Sequence, residues 1–166
     1  MRALVLSAID SLCAVFEEHG YNPTPIIDLG VLVASADGKV DDDERQLLRE
    51  IFQALLDTTI NADIVDHMIT ASLDVIEAAG TESRARLVGA ILYDCDGVES
   101  GIEVALAVAF ASHGLSASER KVIDRIARAG HLRKAKLEEL IARVRDAAEG
   151  SGPASTRRSL GSKAAT

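Results

Sequence analysis

Tryptophan is absent, and aromatic residues make up only 3% of the 166 residues. The interior must therefore be filled by alanine, leucine, valine and isoleucine, which suit closely packed helices. No segment shows the strict apolar–polar alternation of a half-buried strand. Only two cysteines are present, Cys13 and Cys95, far apart and at no metal-ligand spacing. They read as buried free thiols on apolar helix faces, which points to a reducing cytoplasm. No apolar stretch reaches membrane-spanning length; the nearest, residues 102–111, is too short and contains Glu103. The start, Arg2-Ala3-Leu4-Val5-Leu6, is signal-like only briefly. Asp10 interrupts it, Leu12 before Cys13 is too large for a lipoprotein cleavage site, and Val5, Ile9, Leu12 and Phe16 mark an amphipathic helix instead. There is no phosphate-binding glycine loop and no zinc-protease helix. Ser7, Ser11, Cys13 and Cys95 have no base at a recognisable spacing, so neither a catalytic residue nor a cofactor-binding motif is assigned.

The length suits one domain with a real core. The formal net charge of −8 is unevenly placed: residues 1–103 hold 20 acids against 6 bases, whereas residues 104–149 hold 6 acids against 9 bases. A solvated helix face explains most of this. The acidic part attracts cations and repels phosphate, so the domain as a whole is not expected to bind nucleic acid. Arg120, Lys121, Arg125, Arg128, Arg133, Lys134 and Lys136 form a basic run, read either as a solvated face or as a contact for an anionic partner.

Periodicity and punctuation predict seven to eight helices. The first covers residues 2–19, ended by Gly20; the second follows Pro25, runs to about Ala36 and carries Gly30, Ala34 and Ala36, small enough for close helix approach. The third starts at Asp41 and shows Leu47, Leu48, Ile51, Phe52 and Leu55. The fourth begins near Asn61 and stops at Gly80, with Thr81 expected to cap the fifth. The sixth, around 99–112, is apolar on nearly every side and belongs at the centre of a bundle. The seventh starts at Ser116 and ends at Gly130, and the eighth takes residues 133–148. These place an all-helical domain over residues 1–149. Residues 150–166, small, polar and basic, read as a disordered tail.

The most informative stretch is Val33-Ala34-Ser35-Ala36-Asp37-Gly38-Lys39-Val40-Asp41-Asp42-Asp43-Glu44, where an apolar helix ends in Asp-Gly and four acids open the next. A weaker copy runs from Ala109 to Glu119, with His113-Gly114 at the turn. With Gly38 as the sixth position of an EF-hand loop, Asp37, Asp41 and Glu44 occupy the fifth, ninth and twelfth, but Val33 and Ser35 spoil the first and third. Asp96-Gly97 repeats the half-pattern, with Asp94, Asp96 and Glu103. A calcium ion takes about six to eight oxygens, more than one such turn supplies. Two turns brought together supply more, and His113 favours zinc or a transition metal in a mixed site. Helix N-terminal acids are also useful without any metal, because each gains roughly 0.3–1 kcal/mol from the helix dipole. Asp37 sits at the C-terminal end of a helix, where that argument runs the other way.

At this motif, and at Ala109–Glu119 followed by Ile123-Asp124-Arg125-Ile126-Ala127-Arg128-Ala129-Gly130-His131-Leu132, the chain resembles the TerB-like family associated with bacterial tellurite resistance. The resemblance spans roughly residues 26–132. It implies an all-α single-domain bundle of two related helix–Asp-Gly turn–helix halves. It also implies acidic turns that bind divalent cations, and a non-enzymatic role in stress-response assemblies near the membrane. Carried onto this sequence, the metal-binding candidates are Asp37, Asp41, Glu44, His113 and Glu119, and the second motif departs from the pattern by having His113 for Asp and by lacking one residue. The expected role is a cytoplasmic binding or adaptor module for a protein partner, peripheral to a membrane, with a weak divalent-cation site, calcium or another metal. A metal-independent helical docking module is the alternative, and a metal-assisted hydrolase ranks third. Asp63 and His67 share a helix face and read as a surface ion pair or a minor chelate.

Overall fold

The computed structural model describes residues 2–22, 24–55, 61–112 and 114–150. The regular elements among them are all helices: α1 (Arg2–Glu18), α2 (Thr24–Ala34), α3 (Asp42–Leu55), α4 (Ala62–Ala79), α5 (Thr81–Asp94), α6 (Val98–Ser112), α7 (Ala117–Ala129) and α8 (Lys134–Gly150). The chain is an all-α bundle. The expected disordered tail, residues 150–166, is corrected at its first residue, because Gly150 is the last residue of α8; residues 151–166 lie outside the described residues. None of the described helices is long and apolar enough to cross a membrane.

The all-round apolarity of α6 makes it the axis. It packs against α1, α2, α3, α5, α7 and α8, and Ile102, Val104, Leu106 and Val108 are all buried although they point in different directions. Small residues between them let neighbours close in: a Cβ at Gly101 would stand 2.6 Å from Leu92. Each fully buried aliphatic side chain contributes roughly 1.5–3 kcal/mol. The mostly buried α2 lies against α6. The amphipathic α3 and α7 then each turn one stripe inward, Leu48, Ile51 and Phe52 on the first, Val122, Ile123 and Ile126 on the second. The bundle thus contains the same hairpin twice, α2–α3 and α6–α7.

Three contacts between helices were not apparent from periodicity. Gly89 of α5 faces α7 so tightly that a Cβ would lie 2.6 Å from both the Ile126 carbonyl oxygen and Ala129 Cβ. Asp28 of α2 is buried at 8% exposure. It pairs with Arg84 of α5 and accepts a 2.6 Å hydrogen bond from Ser72 Oγ of α4, tying three helices together. Arg49 of α3 likewise grips Asp66 of α4 through two 2.7 Å bonds, which holds the Asp66 carboxyl below the usual range.

Several local expectations are corrected. Helix two ends at Ala34, so Asp37 and Gly38 lie in the turn and not in its last residues. Thr81 is the first helical residue of α5 and not its cap. Gly80 holds the cap position at φ 84°, and it has no side chain to bond the free amides. Cys95 is buried in the cap after α5, off the helix face, and Cys13 is only half-buried; both are free. Burial raises both thiols above the ordinary range, the inert end of cysteine chemistry.

Candidate functional site

The first turn is built by local hydrogen bonds. After α2 the Gly38 amide donates to the Ser35 carbonyl at 2.9 Å. Gly38 has φ 98°, a left-handed conformation, with nothing within 4 Å of where a Cβ would stand. Its backbone conformation, not space, requires glycine. The Lys39 amide donates to Asp37 Oδ1 at 3.2 Å. Asp41 then caps α3 reciprocally: the Glu44 amide donates to Asp41 Oδ1 at 2.8 Å, and the Asp41 amide donates to Glu44 Oε2 at 3.0 Å. Asp42 and Asp43 are exposed in the first helical turn.

The second turn repeats this construction. Gly114 has φ 90°. The Glu119 amide donates to Ser116 Oγ at 3.2 Å, and the Ser116 amide donates to Glu119 Oε2 at 2.7 Å. Among the described residues Glu119 is one of three buried polar residues, at 6% exposure. His113 lies outside the described residues.

Because α2 lies against α6, the two turns meet. Asp37 and Glu44 from the first, and Ser112, Ser116 and Glu119 from the second, line one cavity of about 310 Å³. Of the five candidate ligands, Asp37, Glu44 and Glu119 are brought to it. Asp41 caps α3 and is not part of the cavity's lining. The electrostatic consequence falls on Glu44: burial, then the charges of Asp41, Asp37 and Glu119, push its carboxyl above the ordinary range despite the Asp41 amide bond. The donor set is hard oxygen, of the kind calcium and magnesium take. Each of the three carboxylates gives one oxygen to a backbone amide and has a second to offer. Among the described residues no three acidic, histidine or cysteine side chains converge closely enough to enclose an ion. The three carboxylates thus line one recess without forming a closed cage.

The other spacings resolve differently. Asp94 accepts the Tyr21 hydroxyl and Glu103 pairs with Arg143, so the third Asp-Gly turn disperses its acids into helix contacts. His67 Nδ1 lies 2.6 Å from the Asp63 backbone carbonyl and not its carboxylate, which removes both the ion pair and the chelate. In the basic run, Arg120 is bound to Asp124 and Glu138, and Lys136 to Glu99 and Glu139.

A family model described as tellurite resistance protein TerB matches residues 24–142, most of the chain. The chain belongs to the TerB family. The matched span of the TerB domain starts at α2 and ends within α8, so it contains both turns and the whole cavity. Helix α1 precedes it, yet Ile9, Leu12 and Phe16 are buried in the same core. No curated protein and no solved structure matches the chain.

Proposed function

We propose that this TerB domain is a non-enzymatic binding module whose acidic cavity takes a divalent cation weakly and thereby couples its two turns. The supporting observation is that Asp37 and Glu44 from one hairpin and Glu119 from the other line a single cavity. Three carboxylates around one recess repel one another, and a cation relieves that repulsion. Weak binding fits the open donor set: a hydrated calcium, magnesium or manganese ion is held by few protein oxygens, with water completing its shell. Ser116 Oγ accepts the Glu119 amide and so serves a cap, which argues for a binding role over nucleophilic chemistry. As an adaptor, the module would answer cation level by the relative position of α3 and α7, within a stress-response assembly of the tellurite-resistance type. A protein partner, a peripheral place at a membrane and a cytoplasmic setting belong to the same proposal; the two free thiols accord with a reducing compartment.

Docking without a metal has its own support, because Asp41 and Glu44 already have a structural use as caps. Titration of calcium, magnesium, manganese and zinc into the full chain separates the two. Weak calcium binding in the wild type, lost in Asp37→Asn with Glu44→Gln and kept in His113→Ala, supports the cation module. No binding even at the millimolar concentrations that weak extracellular-type calcium sites need leaves the acids as caps and the metal-free docking module in its place.

A further inference from the structure

Helix α7 has the acidic cavity at its first turn and a recess of opposite character at its last. Glu119 and Arg128 stand roughly 14 Å apart along its axis, at 1.5 Å per residue. The second recess, about 390 Å³, opens between α5 and α7 and is lined by Glu82, Arg86, Arg125, Arg128 and His131. The contact of Gly89 with Ile126 and Ala129 fixes its two walls. Three guanidiniums face the recess against one carboxylate, and Glu82 is already held by Arg86 at 2.8 Å. Among the described residues Arg125 and Arg128 have no ion-pair partner. The C-terminal dipole of α7 accounts for Arg128 in its last turn. It does not account for Arg125 one turn earlier, nor for Arg86 on another helix. At the rim, His131 holds φ 56°, a conformation that residues with a Cβ rarely adopt. Its ring meets Tyr93 edge-on, with centroids 4.8 Å apart, which orients the imidazole beside the recess. Unpaired guanidinium forks around a concavity match the oxygens of a phosphate group, and they stand in the one third of an otherwise acidic chain where bases outnumber acids.

We propose that the α5–α7 recess binds a phosphate group, with Arg125 and Arg128 as its forks, Arg86 joining once drawn from Glu82, and His131 at the rim. The site is separate from the acidic cavity and does not depend on cation binding there. Inorganic pyrophosphate titrated into the full chain at low salt, followed by calorimetry, tests it. Wild type should bind. Arg125→Gln with Arg128→Gln should weaken binding by about tenfold or more, as loss of charge-assisted bonds requires. Glu82→Gln should tighten it, a gain that misfolding cannot imitate. Arg143→Gln with Arg145→Gln, which removes the same charge from the C-terminal half of α8, should stay within about twofold, since exposed charges away from the recess are screened. Absence of pyrophosphate binding by wild type, or an equal loss in the α8 pair, overturns the proposal. Phosphatidylcholine vesicles with and without phosphatidic acid identify the source. Sedimentation with the acidic vesicles that pyrophosphate competes away assigns a lipid headgroup, and pyrophosphate binding without sedimentation assigns a free phosphate compound.

Discussion

Glu44 and Glu119 hold the same place in two capping boxes and line the same cavity. Each bonds back to the amide of its own cap residue, so each carboxylate is fixed by its helix, and the packing of α2 on α6 sets the two against each other. Their proximity makes charge at this site a cost, and the cost is measurable.

The first prediction concerns pH. The Glu44 carboxyl titrates above its ordinary value of 4.5 in the folded chain, because of burial and then of Asp41, Asp37 and Glu119. A carboxylate with a raised folded value binds its proton more tightly folded than unfolded. Its contribution to stability therefore falls as pH rises from 4.5 through the raised value. Glu44→Gln keeps a cap acceptor and removes the charge. In cation-free buffer it should melt higher than wild type at neutral pH, and the difference should shrink as pH falls towards and below 4.5. Paired thermal melts across that range check it, and acids common to both proteins cancel in the difference. A variant that melts lower at neutral pH would show that capping outweighs the repulsion.

Gly89→Ala sets two effects against each other. Alanine gains up to about 1 kcal/mol of helix propensity over glycine. The new methyl group, however, would sit 2.6 Å from the Ile126 carbonyl oxygen, a backbone atom that cannot step aside alone. Overpacking of this kind costs about 1–3 kcal/mol, so the net change should be destabilising in urea unfolding. Neutral or increased stability would mean that α5 and α7 separate easily.

Asp28→Ala should be among the more damaging single changes. It leaves Arg84 beside the core without its partner, and Ser72 without its acceptor. Breaking a buried pair by removing one side costs about 3–5 kcal/mol; with 20% of the Arg84 side chain exposed, about 3 kcal/mol is expected by discounting that range for solvent. The double change Asp28→Leu with Arg84→Met should recover much of it, which denaturant unfolding of the two variants beside wild type reads directly.

Leu106→Ala tests the axial place of α6. The side chain is fully buried, and truncation of such a leucine costs about 2–5 kcal/mol through lost transfer energy and a residual cavity. An unchanged midpoint in guanidinium unfolding would contradict the burial of α6.

These residues also mark what was legible beforehand. Helices, the axial place of α6 and both capping boxes follow from local rules, because Asp41 with Glu44 and Ser116 with Glu119 declare themselves within four residues. The glycines at 38 and 114 do so as well, since a left-handed turn needs them wherever the turn lies. The cap expected from Thr81 failed because Gly80 took that position at positive φ, a choice between neighbours that composition does not decide. The shared cavity was open to question in the sequence because it depends on α2 meeting α6, a packing event between distant segments. Asp28 with Arg84, and Gly89 against Ile126, were missed for the same reason. A buried acid inside an apolar helix and a lone helical glycine have no local signature, and their partners lie on other helices.

The most direct test follows backbone amide resonances of the full chain during calcium titration. If the two turns form one cation site, amides of residues 37–44 and 114–119 should shift together along a single weak isotherm. Asp37→Asn with Glu44→Gln should abolish the shifts at the second turn, although that turn is untouched. Shifts confined to one turn, two different isotherms, or no shift at either turn would contradict a shared site.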